Sequence, residues 1–171
     1  MIKHITLFAA ALAASFSLAA QTPEEDPDIQ YGAELLKPGT RAPGFQLKDL
    51  DGKTVKLSDF RGKTVVRVFW ASWCPDCRKE VPDLKEMYAK HGGKVQFVSI
   101  SYDRDFQRLK DFAAEKELPG VHLFDPDGMK KSKVGSDYHV KWIPSLYVIG
   151  PDGKVKLGTV VASKVSGLLN Q

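Results

Sequence analysis

Polar and apolar positions change period several times along the chain, and each change predicts an element. Phe45-Gln46-Leu47 and Thr54-Val55-Lys56-Leu57 alternate on either side of Asp51-Gly52, which predicts a β-hairpin. Residues 64–70 are nearly continuously apolar, the pattern of a strand buried on both faces. Over residues 75–91 the spacing lengthens to that of a helix, with Val81, Leu84 and Met87 or Tyr88 on one face. Pro82 predicts a kink in that helix and Gly92-Gly93 its end. A strand over residues 95–101 follows. A helix over residues 105–117 then has Phe106, Leu109, Phe112 and Ala113 as its stripe, and a short strand over residues 120–124 ends at Asp125-Pro126-Asp127-Gly128. The last third reads as a strand over residues 145–149, a turn at Pro151-Asp152-Gly153, a returning strand over residues 154–157 and a closing helix over residues 163–169. Strands separated by helices with a terminal hairpin predict an α/β layered domain on a mixed sheet.

The ends of the chain read differently. Lys3 and His4 precede an apolar run over residues 5–18, then small residues and Gln21, the pattern of a secretory signal peptide over residues 1–20 cut near Ala19 or Ala20. The run is too short and alanine-rich for a membrane span, so the mature form is expected to be periplasmic, without a stable membrane anchor. Residues 21–38 are polar and acidic with Pro23, Pro27 and Pro38, and read as an N-terminal tail or linker. Residues 39–171 then form one domain, and 43% hydrophobic residues suffice for its core without disulfide staples. The formal charge of +4 comes from lysines spread along the chain, which argues against nucleic-acid binding.

Two cysteines are the chain's whole complement, and both sit in Trp73-Cys74-Pro75-Asp76-Cys77, where the predicted buried strand gives way to a helix. Two intervening residues at a helix start put the sulfurs within disulfide reach. Pro75 suits the first helical position, so Cys74 becomes the cap and the exposed member, with its thiolate favoured by the unpaired N–H groups of the first turn. Four histidines, His4, His91, His122 and His139, are scattered and give no zinc spacing. A redox dithiol is the chemistry this pattern carries, and it requires no cofactor.

The run from Phe69 to Glu80, with Pro82 and the later Ile143-Pro144-Ser145, resembles the thioredoxin superfamily. Ala42-Pro43-Gly44-Phe45, Gly52-Lys53 and the run from Leu57 to Lys63 resemble its exported TlpA/ResA-like thiol-disulfide oxidoreductases. The resemblance implies a thioredoxin-like three-layer fold with a mixed central sheet, an N-terminal β-hairpin and a central insertion. It implies that Cys74 attacks, that Cys77 resolves the mixed disulfide, and that Trp73, Ile143 and a cis Pro144 meet the substrate. Implied partners are disulfide-containing or dithiol client proteins, in cytochrome c maturation among other settings, and a membrane or periplasmic electron donor.

Two departures from thioredoxin stand out. The strand position that carries a buried Asp in thioredoxin is Val68 here, so another acceptor must take the proton of Cys77. The nearest match to the ResA-like acid is Asp103, or alternatively Asp105, unless Asp103 only caps the following helix. Pro75-Asp76 replaces Gly-Pro between the cysteines, a pair that tunes potential and partner fit. Two other functions compete with a reductant of protein disulfides: a copper chaperone using both thiolates and His139, and a thiol peroxidase.

Overall fold

The computed structural model describes residues 25–171; the segment read as a signal peptide, with His4, lies outside the described residues. Seven strands form one sheet: β1 (Gln46–Asp49), β2 (Thr54–Lys56), β3 (Thr64–Trp70), β4 (Val95–Ser101), β5 (Val121–Phe124), β6 (Ser145–Ile149) and β7 (Val155–Thr159). Their order is β2-β1-β5-β4-β3-β6-β7. The strand with the most continuous apolar run, β3, lies between parallel β4 and antiparallel β6, and six of its seven residues are buried. The mixed sheet follows from the connections. A helical crossover makes β3–β4 and β4–β5 parallel, while the tight turn at Gly153, where φ is +72°, returns β7 antiparallel to β6.

Period-two alternation divides β3 between two layers. Val68 and Trp70 face α2 (Pro75–Lys79), α3 (Val81–His91) and α4 (Phe106–Glu115), with Trp70 against Phe112 at 5.4 Å between ring centroids. Helix α7 (Ala162–Leu169) packs on α3, β6 and β7. Arg67 and Phe69 face the other way, toward Phe45, Tyr138 and Tyr147, beneath α5 (Gly128–Lys131) and α6 (Lys133–Asp137). Fully burying side chains such as Phe69, Ile100, Leu123 and Leu146 contributes about 1.5–3 kcal/mol each, so the sheet core dominates the folding energy.

Two segments differ from the sequence expectation. The helix expected over residues 75–91 is divided at Glu80 into α2 and α3, because Pro82 has no N–H to continue the ladder. From Asp26 on, the acidic stretch is docked on the domain. Its helix α1 (Pro27–Tyr31) anchors through Asp28, which accepts hydrogen bonds from Thr159 Oγ1, Val160 N–H and Lys164 Nζ, each at 2.7 Å. Leu35 is buried and Leu36 N–H donates to Tyr147 Oη at 3.1 Å. Composition marks the stretch as loose, but its polar residues have specific partners on β7 and α7.

Candidate active site

β3 ends at the point where the sheet delivers its chain to the helical layer. Ala71 continues from Trp70, and the turn closes with Cys74 N–H donating to Ala71 O at 3.2 Å. Cys74 caps α2, with Pro75 in the first turn and Cys77 N–H donating to Cys74 Sγ at 3.1 Å. The two cysteines form a disulfide across a Cα–Cα distance of 5.3 Å. Cys74 is 4% exposed and Cys77 3%, so exposure does not separate them as the capping argument expects. The difference lies in direction. Cys74 Sγ meets the loop before β6, whereas Cys77 faces an internal cavity.

That loop carries the exposed Trp142 and the buried Ile143 and Pro144, and the Ile143–Pro144 peptide is cis. Ile143 O lies 3.6 Å from Cys74 Sγ. In the disulfide the sulfur has no proton and this is a contact; in the dithiol, Cys74 S–H can donate weakly to the same oxygen. On the opposite flank Trp73 is half exposed, its indole N–H donating to Tyr102 O at 3.2 Å. Trp73, Ile143 and Pro144 are thus brought together around Cys74.

Asp103 follows β4 and is buried at 2% exposure. Its carboxylate accepts from Ser72 N–H at 3.1 Å, Ser72 Oγ at 2.6 Å and Ser101 Oγ at 2.7 Å. It therefore holds the turn that carries Trp73 and Cys74. The helix cap is Asp105, whose Oδ1 accepts from Arg108 N–H at 2.8 Å.

The Cys77 side opens on a cavity of about 40 Å³ bounded by Val68, Trp70, Glu80, Ser99, His122 and Pro144, with apolar residues of α3. Burial, with Asp83 and Asp76 nearby, pushes the Glu80 carboxyl above the usual range, while the Ala162 backbone N–H pulls the other way. Glu80 Oε2 and Trp70 Nε1 are buried without a hydrogen-bond partner among the described residues. His122 completes the wall: Ser99 Oγ lies 2.7 Å from Nδ1 and Leu118 O 3.0 Å from Nε2, and burial lowers its pKa against the pull of the Leu118 carbonyl. Among the described residues no group of three or more His, Cys, Asp or Glu could hold a metal ion; His139 Nδ1 lies 3.1 Å from Glu34 O.

The AhpC/TSA family matches residues 38–157, most of the chain. The chain belongs to that family. It is similar to the thiol-disulfide oxidoreductase ResA of Bacillus cereus, 34% identical over 123 residues that cover 71% of this chain and 69% of the relative. ResA of Bacillus subtilis is 30% identical over 143 residues, covering 81% of this chain and 78% of the relative. Among solved structures, the thioredoxin domain of a Bacteroides vulgatus thiol-disulfide oxidoreductase superposes with a TM-score of 0.72 at 27% identity, covering 79% of this chain and 96% of that one. The protein is a thiol-disulfide oxidoreductase with a thioredoxin-like fold, and Cys74–Cys77 is its close cysteine pair.

For this oxidoreductase, sequence reasoning passed over Glu80. It stands three residues after Cys77, one turn along the same side of the helical segment, a spacing that points to it directly. Tyr31 was not legible: its ring stacks on Trp142 at 4.3 Å, but nothing in an acidic stretch announces that partner. Arg67 breaks the apolar run of β3 and is fully buried between the rings of Phe45 and Tyr138.

Proposed function

We propose that the protein is exported, its signal segment over residues 1–20 removed, and that it reduces disulfides of client proteins outside the cytoplasm. The observation that carries this reading is the Cys74–Cys77 pair at the start of α2, with Cys74 Sγ 3.6 Å from Ile143 O and the half-exposed Trp73 ring next to it in the chain. The signal pattern supports export, and no helix among the described residues is long and apolar enough to cross a membrane.

In the reduced enzyme, Cys77 N–H stabilises the Cys74 thiolate. The thiolate attacks one sulfur of the client disulfide, which joins Cys74 to the client and releases the other client sulfur as a thiolate. Cys77 then loses its proton and attacks Cys74 Sγ, closing the Cys74–Cys77 disulfide and releasing the second client thiolate. Two electrons pass to the client, and a membrane or periplasmic dithiol donor restores the enzyme. Glu80, lining the same cavity as Cys77 with its pKa raised by burial, is the acceptor for that proton. Asp103 positions the Ser72 turn. Trp73 and Ile143 flank the client, and Pro144 orients the loop.

The test is insulin disulfide reduction by the dithiol enzyme, with Cys77→Ser used to arrest the cycle. The wild type should reduce insulin, and Cys77→Ser should accumulate mixed disulfides with clients through Cys74. An enzyme that leaves insulin intact but consumes peroxide, or binds copper through both thiolates, would replace this reading with one of the other two.

A further inference from the structure

The chain has three tryptophans, and their exposure divides them by place. Trp70 is buried beneath the helices, whereas Trp73 is 49% exposed and Trp142 40%. Each half-exposed ring stands one residue from the redox machinery, Trp73 before Cys74 and Trp142 before Ile143. Large rings left half in water beside a reactive group are typical anchors for a partner.

Trp142 does not stand alone. Tyr31 lies against it with ring centroids 4.3 Å apart and planes 24° from parallel. Tyr31 comes from the N-terminal strap, residues 26–36, which precedes the family match at residue 38. The strap is fixed at both ends: Asp28 is bonded to Thr159, Val160 and Lys164, and Leu36 N–H to Tyr147 Oη. Between strap and loop lies a cleft of about 130 Å³ bounded by Gln30, Tyr31, Ala33, Glu34, Lys141 and Trp142. A site of this kind needs about 10–15 Å³ to hold one water, so the cleft has room for a side chain. Glu34 and Lys141 contribute opposite charges, so a charged side chain gains no net attraction, while ring faces and Ala33 favour an apolar one.

Resting on the client-reducing function above, we propose that the strap is one wall of the client-binding surface. The Tyr31–Trp142 cleft takes an apolar side chain of the client segment within two residues of its disulfide cysteine. Trp142 of the cleft is followed directly by Ile143, whose carbonyl oxygen lies 3.6 Å from Cys74 Sγ, so a client cysteine at Cys74 has its neighbours on the side of the molecule where the cleft lies. Tyr31 and Trp142 both line the cleft, so both rings meet the client side chain.

Two peptides test this, sharing one sequence except for Leu or Ser on both sides of a single cysteine, each as a mixed disulfide with thionitrobenzoate. Reduced wild type should react about tenfold faster with the Leu peptide, the scale of one apolar side chain in a pocket. Tyr31→Ala and Trp142→Ala should each bring that ratio within about twofold, and Tyr31→Phe should retain it. In the unmutated protein, the Trp142 indole N–H resonance should shift on titration with the S-methylated Leu peptide and not with its Ser counterpart. Equal wild-type rates for the two peptides, a preference that survives Tyr31→Ala, or an unmoved Trp142 resonance each overturn the proposal while leaving the reductase function standing. No chromophore release from either peptide overturns that function, and the cleft's role with it.

Discussion

Replacing Asp103 by Asn separates two roles for a buried carboxylate, because the structure assigns it three donors and none of them is Cys77. Hydrogen bonds to a charged acceptor contribute about 1.5–3 kcal/mol each, roughly twice their neutral counterparts. In the Asn variant the remaining oxygen keeps Ser72 N–H and Ser72 Oγ as neutral bonds. The new amide faces Ser101 Oγ, which already accepts from Asp103 N–H at 3.0 Å, so that bond is lost or reversed. The expected loss is about 2–4 kcal/mol of folding stability, large against the 5–15 kcal/mol of a typical domain. Denaturant unfolding of the oxidised protein reads this directly. Stopped-flow reduction of a small disulfide should show both attack and release slowed, because the Ser72 turn carries Cys74. An unchanged unfolding free energy, or a release step slowed with attack intact, would refute the positioning role and return Asp103 to the proton acceptor expected from sequence.

Glu80→Gln should flatten the pH dependence of the release step in single-turnover kinetics, leaving the first attack unchanged. Since the folded-state pKa of Glu80 is raised, its contribution to stability is full at low pH and lost as pH rises through that pKa. The Gln variant should therefore match wild type in acid and exceed it at neutral pH, and equal unfolding midpoints at both would contradict the raised pKa. Arg67→Met should stabilise the fold by about 1–3 kcal/mol in denaturant titration, because its three nitrogens are buried without hydrogen-bond partners among the described residues, at about 1–3 kcal/mol each. The two ring contacts at 4.3 and 4.4 Å return only about 2 kcal/mol apiece. A loss of stability would mean that the guanidinium has a partner that these contacts omit.

What the sequence made legible follows the range over which each signal acts. The order of strands and helices could be read because β3, α4 and the hairpin before α7 have clean periods, and short range suffices for them. Cys74, Cys77 and the cis Ile143–Pro144 loop came from motifs and resemblance, and the fold brings Cys74 and the loop together across 69 positions. The buried state of Cys74 could not be read, since a cap is exposed until a loop from elsewhere covers it. Asp103 was found as a residue but not as a bond to Ser72, a contact made across 31 positions. The strap escaped for the same reason. Asp28 and Tyr31 look like solvated tail residues until Thr159, Lys164 and Trp142 are in place.

The direction of electron flow is the centre of this account, and the equilibrium reduction potential of Cys74–Cys77 against glutathione tests it most directly. Among the described residues a single backbone donor, Cys77 N–H, serves Cys74 Sγ, and Ile143 beside it offers a carbonyl rather than a second donor. A thiolate so modestly stabilised belongs to a reductant, because strong stabilisation of the reduced form is what makes a disulfide oxidising. The account predicts a potential near thioredoxin's, about −270 mV, and a value near about −120 mV, that of the strongest oxidants of this fold, would contradict it.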